Sequence, residues 1–366
     1  MRWTRPTCAM IKLQNSNQVR HPAGGSIMQN TNIIGLDLAK SVFQLSVLDH
    51  RGNEIKKKQL KRAQVLPFLA KQPTSVVAME ACSGSHYWAR QLAKLGHTVK
   101  VIHPRYVKPF VQVNKNDTRD ALGIAEAASR PTMPTVAVKN VEQQDLQALH
   151  RVRERIVKER VAVGNELRGL LAEYGVILPK GAKAIREQVL LVLEDGTNEL
   201  SVRGRRMIAD LRQQWLQREQ QEQQYAKEIA QIANSNETCK RLQSIPGIGP
   251  IISTLLYSHI GKAASFASGR HVSASLGLVP RQHSSGGKDV LLGISKQGNK
   301  QIRKMLVHGA RSAYKSLQRQ EKDSALKQWV MKHEGNKHPN VIIVALANKL
   351  ARISWALMKN GSVYHS

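Results

Sequence analysis

Four carboxylates and a pair of serines carry the chemistry this sequence suggests. Asp37 closes an apolar run over residues 33–38, and Glu80 closes Val76-Val77-Ala78-Met79-Glu80. Asp117 and Asp120 stand three apart at the start of a helical pattern, which sets both on one side of a helix. A carboxylate at the exit of a buried strand is costly unless it is paired or binds a cation, and here the arrangement occurs twice. Oxygen donors from two strands and a helix suit a hard divalent ion, Mg2+ or Mn2+. Two such ions about 3.5–4 Å apart would polarise a phosphodiester and stabilise both its attacking and its leaving oxygen. Taken singly, each residue has an ordinary role: Asp37 in a turn, Glu80 as a strand-end charge, Asp120 as a helix cap.

The serines lie in Gly277-Leu278-Val279-Pro280-Arg281-Gln282-His283-Ser284-Ser285-Gly286-Gly287-Lys288. Its glycines let the backbone approach a bulky anion, which Arg281 and Lys288 would hold against a serine hydroxyl. Alone, the segment also reads as a polar surface loop. A serine hydroxyl is a weak nucleophile at neutral pH and needs a base or a metal ion to activate it, a task the carboxylate cluster would perform if both act on one phosphate. His283 and His308 are candidates for proton transfer, although a histidine on an apolar helix, as at 308, is more often structural. Leu242-Gln243-Ser244-Ile245-Pro246-Gly247-Ile248-Gly249-Pro250 fits a helix–hairpin–helix turn, with Gly247 and Gly249 offering backbone N–H groups to a phosphate. Its ordinary reading is a helix-to-helix turn. Lys288, Lys296, Lys300 and Arg303 are expected to bind phosphates, the last three otherwise forming a solvated helix face. Such contacts would not read sequence.

Composition names the partner class. The 366 residues carry 56 Lys and Arg against 26 Asp and Glu, a net charge of +30, which calls for a polyanion such as DNA or RNA. Half of that excess lies between Arg241 and Ser366, so the main phosphate-contacting surface is expected there. No apolar run of membrane-spanning length is expected, and no membrane partner. Cys8, Cys82 and Cys239 are too scattered for a zinc site or a disulfide framework. Residues 1–30 show no signal-peptide apolar region, which points to the cytoplasm. Aromatics at 4% argue against a base-stacking platform.

The elements that must position these residues follow from periodicity. Strands are predicted over 33–38, 42–48, 54–60, 75–79 and 98–102, with a hairpin turn at Arg51-Gly52-Asn53 and helices over 63–71, 85–95 and 118–129. A three-strand meander followed by alternating helix and strand implies a mixed-sheet α/β domain. From 141 to about 233 the apolar residues fall at helical spacing. Leu146, Leu149, Val152, Ile156, Val163, Leu167, Leu170 and Leu171 make one stripe, residues 179–182 break it, and a second long helix is predicted over 207–232. This is an antiparallel helical arm, read as a spacer or dimerisation element. Helices predicted over 250–260, 271–276, 297–318 and 340–358 make the remainder a compact, basic, all-α domain. The expected domains are 1–27, a disordered leader or mis-called start; 28–135, the carboxylate domain; 136–237, the arm; and 238–366, the serine domain.

From Met28 onward the sequence resembles the insertion-sequence transposases of the 110/1111 family, which join a DEDD domain to a serine-bearing C-terminal domain. The resemblance rests on Gly35-Leu36-Asp37, Met79-Glu80, Asn116-Asp117-Thr118-Arg119-Asp120-Ala121, Ile245-Pro246-Gly247-Ile248-Gly249-Pro250, Gly277-Leu278-Val279-Pro280-Arg281, His283-Ser284-Ser285-Gly286-Gly287-Lys288 and Gly293-Ile294-Ser295-Lys296-Gln297-Gly298-Asn299, in that order. It implies an RNase H-like (RuvC-like) fold for the first domain, as in Holliday-junction resolvases, with Asp37, Glu80, Asp117 and Asp120 as the metal-binding set. It further implies Ser285, beside the glycine pair, as nucleophile ahead of Ser284, a non-coding guide RNA from the element, double-stranded DNA at the element ends and target, and a dimer or synaptic tetramer at the bacterial nucleoid. With no evident DNA-reading motif, sequence choice is open to base pairing. Two departures stand out: the leader before Met28 is extra, and Val290 replaces a basic residue common in relatives, which bears on one phosphate contact. Two other functions fit the residues, a hydrolytic RuvC-like endonuclease using the carboxylates alone and a non-enzymatic nucleic-acid-binding protein.

Overall fold

The computed structural model describes residues 31–111, 117–285 and 288–365; the leader over 1–27 lies outside them. Two compact units meet in sequence between Asn140 and Val141.

In the first unit, β1 (Ile33–Asp37), β2 (Val42–Leu48) and β3 (Glu54–Lys61) form the antiparallel meander. The Asp49 carboxylate fixes the β2–β3 turn by accepting from the N–H groups of Arg51 and Asn53, both at 2.8 Å. The chain then passes through α1 (Val65–Ala70), β4 (Val76–Glu80), α2 (Ser85–Lys94), β5 (Thr98–Ile102), α3 (Pro104–Val107) and α4 (Asp117–Ser129). β4 joins β1 in parallel and β5 joins β4 in parallel, so the sheet order is β3-β2-β1-β4-β5. This is the mixed sheet that the pattern predicts.

Alternation sorts the strand residues between two faces. Ile34, Leu36, Leu45, Val77 and Met79 bury against Trp88 and Leu92 of α2, with Phe43 edge-on to Trp88 at 5.0 Å. On the other face Ala78 and Ile102 meet Ile124, Ala127 and Ala128 of α4. Small residues let α4 lie at backbone distance from the sheet. A Cβ at Gly35 would collide with the carbonyl oxygen of Ala121 and stand 2.8 Å from the nitrogen of Ala125. β3, an edge strand, presents exposed Lys56, Lys57 and Lys58, charges that discourage further strand addition.

The second unit begins with α5 (Val141–Ala172), which returns through a π-helical turn at Ala184–Gln188 and α6 (Val189–Glu194) into α7 (Val202–Ser235). Ion pairs lace the two long helices antiparallel: Arg153 to Glu222 at 3.1 Å, Arg160 to Glu222 at 2.8 Å, and Arg218 to Glu159 at 2.9 Å. Leu146, Ile156, Leu167 and Leu171 of the predicted stripe are buried, while Leu170 is exposed. At its base the pair is fastened by buried His150, whose Nε2 lies 2.9 Å from Thr254 Oγ1 and whose carbonyl accepts from Gln301 Nε2 at 3.1 Å. Burial, then Arg153, lower the His150 pKa to about 4, so the ring is neutral near pH 7.

The chain continues through α8 (Glu237–Gln243), α9 (Pro250–Ile260), α10 (Gly269–Ser275), β6 (Pro280–Ser285), β7 (Lys288–Ile294), α11 (Lys300–Arg319), α12 (Ala325–Met331) and α13 (Pro339–Asn360). Two expectations are corrected here. The region is not all helical: β6 and β7 pair as an antiparallel hairpin from Ser285–Lys288 to Pro280–Ile294, with a register shift between Gln282 and Pro280. And α13 is long and apolar enough to cross a membrane, contrary to the expectation of no such run. Its apolar side packs inward through Ile342, Ile343, Leu346, Leu350 and Leu357 as part of this unit's core.

Gly35→Ala should destabilise the first unit by about 3 kcal/mol or more, because backbone cannot move aside for the new Cβ. Gly96→Ala in the same unit meets open space and only the left-handed strain of φ +88°, about 1–2 kcal/mol. Denaturant unfolding of both variants checks the order; equal losses would contradict the close contact of α4 with β1.

Candidate active site

Register places two of the carboxylates. Leu36 of β1 pairs with Met79 of the parallel neighbour β4, so Asp37 and Glu80 follow side by side at the carboxyl ends of adjacent strands. Gly35 and Ala78, paired with each other, both face α4. Two residues further along each strand, Asp37 and Glu80 project from that same face. Asp120 precedes Ala121, whose carbonyl abuts Gly35, and is half-buried like Asp37 and Glu80. Asp117 opens α4, but its side chain lies outside the described residues. Gln44 of β2 pairs with Asp37 on the opposite flank.

Both strand-end charges act on a third group, Cys82. Partial burial, then the Glu80 and Asp37 carboxylates, push the thiol of Cys82 above its ordinary pKa. The sequence reading took Cys82 only as one of three scattered cysteines, although its place two residues after Glu80 was a signal of its nearness to the carboxylates. The exit from β4 is tight, with Ala81 N–H donating to Ile102 at 2.7 Å and Cys82 N–H to Glu80 at 2.9 Å. Among the described residues, no three Asp, Glu, His or Cys side chains converge closely enough to hold a metal ion. The donors brought together are all hard oxygen, the type a divalent cation of the Mg2+ class takes.

In the second unit, Ser285 ends β6 and pairs with Lys288; both side chains, and Gly286 and Gly287 between them, lie outside the described residues. Ser284 is exposed, and its Oγ accepts from Gln282 Nε2 at 2.8 Å. Arg281 and His283 are exposed on the same strand. A firm foot holds this hairpin. Ser295 N–H donates to Val279 at 2.8 Å, Lys296 N–H to Gly277 at 3.1 Å, and Arg303 Nη1 to Leu276 at 2.8 Å. Arg303 thus spends part of its guanidinium on the backbone, while Lys296, in the left-handed region at φ 56°, and Lys300 are exposed. Gly247 has φ +82°, and a Cβ there would stand 2.9 Å from Ala313 Cβ and strike the Gly309 carbonyl, so this glycine lets the α8–α9 turn press on α11. Gly249 caps α9 ahead of Pro250 and has open space around it.

Known proteins match this chain in sequence. Residues 34–176 match a DEDD transposase model of the IS110 group, and residues 239–326 match the model described as the transposase IS116/IS110/IS902 family. The chain is 43% identical over 337 residues to the transposase for insertion sequence element IS1111A of Coxiella burnetii, covering 92% of each. It is 41% identical to the transposase for IS1328 of Yersinia enterocolitica, and 42% identical to a probable family 20 transposase of Pseudomonas aeruginosa, each over 92% of this chain and 99% of the relative. A solved structure of T. thermophilus RuvC in complex with Holliday junction substrate overlaps 26% of this chain and 91% of its own, at 15% identity and a TM-score of 0.21, too slight a likeness to carry argument.

Glu80→Gln removes a negative charge beside Cys82, so the thiol pKa should fall and alkylation at pH 8 should quicken, by about threefold for half a pKa unit. Iodoacetamide kinetics in a Cys8→Ser background read this directly. Asp49→Asn, in the distant β2–β3 turn, should leave the rate unchanged; an unchanged rate in Glu80→Gln would contradict the shared neighbourhood.

Proposed function

The chain belongs to the IS110/IS1111 family of insertion-sequence transposases and is a DNA transposase, and from that premise we propose that it cuts and rejoins DNA through a phosphoserine at Ser285, assisted by a divalent metal at Asp37, Glu80, Asp117 and Asp120. The observation that carries the reading is the β1–β4 register, which brings Asp37 and Glu80 together on the α4 face. Mg2+ or Mn2+ bound by these carboxylates would polarise the phosphodiester and ease loss of the serine proton. Ser285 Oγ attacks phosphorus, the bond to one strand's oxygen breaks, and that strand leaves as a hydroxyl, carrying the proton. The other strand stays on the serine. Attack by a new strand's hydroxyl reverses the step with its bond energy conserved, so no nucleotide hydrolysis is needed.

Under this reading residues 28–135 form the metal-dependent domain, 136–237 the arm that joins copies as a dimer or synaptic tetramer, and 238–366 the serine domain. Arg281, Lys288, Lys296, Lys300 and Arg303 contact phosphates, with the N–H groups near Gly247 and Gly249 at the α9 terminus. A non-coding RNA from the element selects the DNA by base pairing, in the bacterial cytoplasm at the nucleoid. The excess of Lys and Arg after Arg241 and the exposure of Arg281, Lys296 and Lys300 support the phosphate contacts.

Purified protein incubated with element-junction DNA, Mg2+ and co-purifying RNA, then run on a denaturing gel, tests the mechanism. A covalent protein–DNA species is expected, absent in both Ser285→Ala and Asp37→Ala. Cleaved DNA without an adduct, undiminished in Ser285→Ala, would overturn it in favour of a hydrolytic RuvC-like endonuclease.

A further inference from the structure

α10 and the second half of α13 border an open recess of about 560 Å3, none of whose lining residues belongs to the hairpin or to the positions assigned above. Exposed Arg270 and Arg352 stand at its mouth, with half-buried Lys349, Ile353, Trp355 and Ala356 deeper in. Among the described residues, none of these three cations forms an ion pair. Burial, then Arg352, lower the Lys349 pKa, so the like charges act on one another. Their backbones lie close together. α10 is pressed onto α13 at Gly269, where a Cβ would stand 3.1 Å from both Cα and the carbonyl oxygen of Arg352. Lys349 Nζ lies 5.1 Å from the Trp329 ring, and Lys359 Nζ lies 4.9 Å from that of Trp355, which adds a fourth cation beside the recess.

A fold that holds unpaired cations around an apolar hollow suits a ligand carrying anionic groups and a flat apolar face together. The outside of a duplex offers phosphates but keeps its base faces stacked inside. An unpaired nucleotide offers both, and base-on-aromatic stacking tolerates any sequence. Exchange of strands between duplexes, the work of a DNA transposase, passes through unpaired DNA. We propose that this recess binds an unpaired stretch of DNA strand, with phosphates on Arg270, Lys349 and Arg352 and a base against Ile353 and Trp355. The site is independent of whether Ser285 is the nucleophile.

Fluorescence anisotropy of the full chain with a labelled twelve-nucleotide oligo(dT), the matching dT·dA duplex and oligo(rU) tests this without any cleavage chemistry. The paired change Arg270→Glu with Arg352→Glu alters only exposed side chains and should leave the circular dichroism unchanged. It should weaken oligo(dT) binding about tenfold or more and make the plot of log affinity against log salt shallower by about 1.4, two phosphates at about 0.7 each. Duplex affinity should fall less than about threefold. Ile353→Ala should weaken oligo(dT) and spare the duplex. Equal losses for single strand and duplex, unchanged oligo(dT) binding, or a larger loss for oligo(rU) than for oligo(dT) would each overturn the proposal.

Discussion

α4 rests on β1 at backbone distance because Gly35 has no side chain and because Ala121 and Ala125 are small. That contact sets the thickness of the first unit on this face. Asp37 and Glu80 are half-buried at the ends of β1 and β4. A wider spacing would fill with apolar side chains, and a carboxylate among them would be driven to its neutral form. The same contact holds the turn of α4 that carries Asp120, the residue before Ala121, against β1. One residue without a Cβ therefore underlies the whole carboxylate end of the sheet.

The second unit solves a different problem, holding an exposed hairpin steady on a basic helical body. Its means are local. The foot of the hairpin is tied by Ser295, Lys296 and Arg303 to backbone carbonyls, and Asn299 caps α11 by accepting from Ile302 N–H at 3.0 Å. Gly277 and Gly298 permit left-handed turns at φ +68° and +88° where neighbouring backbone leaves no room for a side chain. The hairpin thus leaves the core as a braced projection. Below it, the long helix pair is joined to the same core through neutral His150 and the ion pair of Lys304 with Glu154 at 2.9 Å.

Dense apolar runs were the legible elements. Residues 42–48, 98–102 and 250–260 fold as predicted, because each is an apolar run bounded by turn or loop residues and ends up largely buried. The meander and the mixed sheet followed from the hairpin turn at 51–53 and the alternation of helix and strand after it. The β6–β7 hairpin was not legible: Arg281-Gln282-His283-Ser284-Ser285 is polar throughout, and Val290, Leu291 and Leu292 on β7 are all exposed, so no periodic burial announces the strands. α8 and α12 are too short for periodicity to reveal. At the site, strand-end placement of Asp37 and Glu80 could be read from the sequence, but their adjacency could not, since only the sheet order makes β1 and β4 neighbours. Arg303 and Gly247 were read for their chemistry alone, yet both also serve contacts between segments distant in sequence.

The proposed function turns on one point, that Asp37 and Glu80 together hold one divalent ion. Titration of the full-length protein with Mn2+, followed by electron paramagnetic resonance of the free ion, tests it most directly. Wild type should take up Mn2+, and Asp37→Asn and Glu80→Gln should each weaken that uptake about tenfold or more, as loss of one charged ligand from a shared site requires. Uptake unchanged in both variants, with the fold intact, would contradict the account.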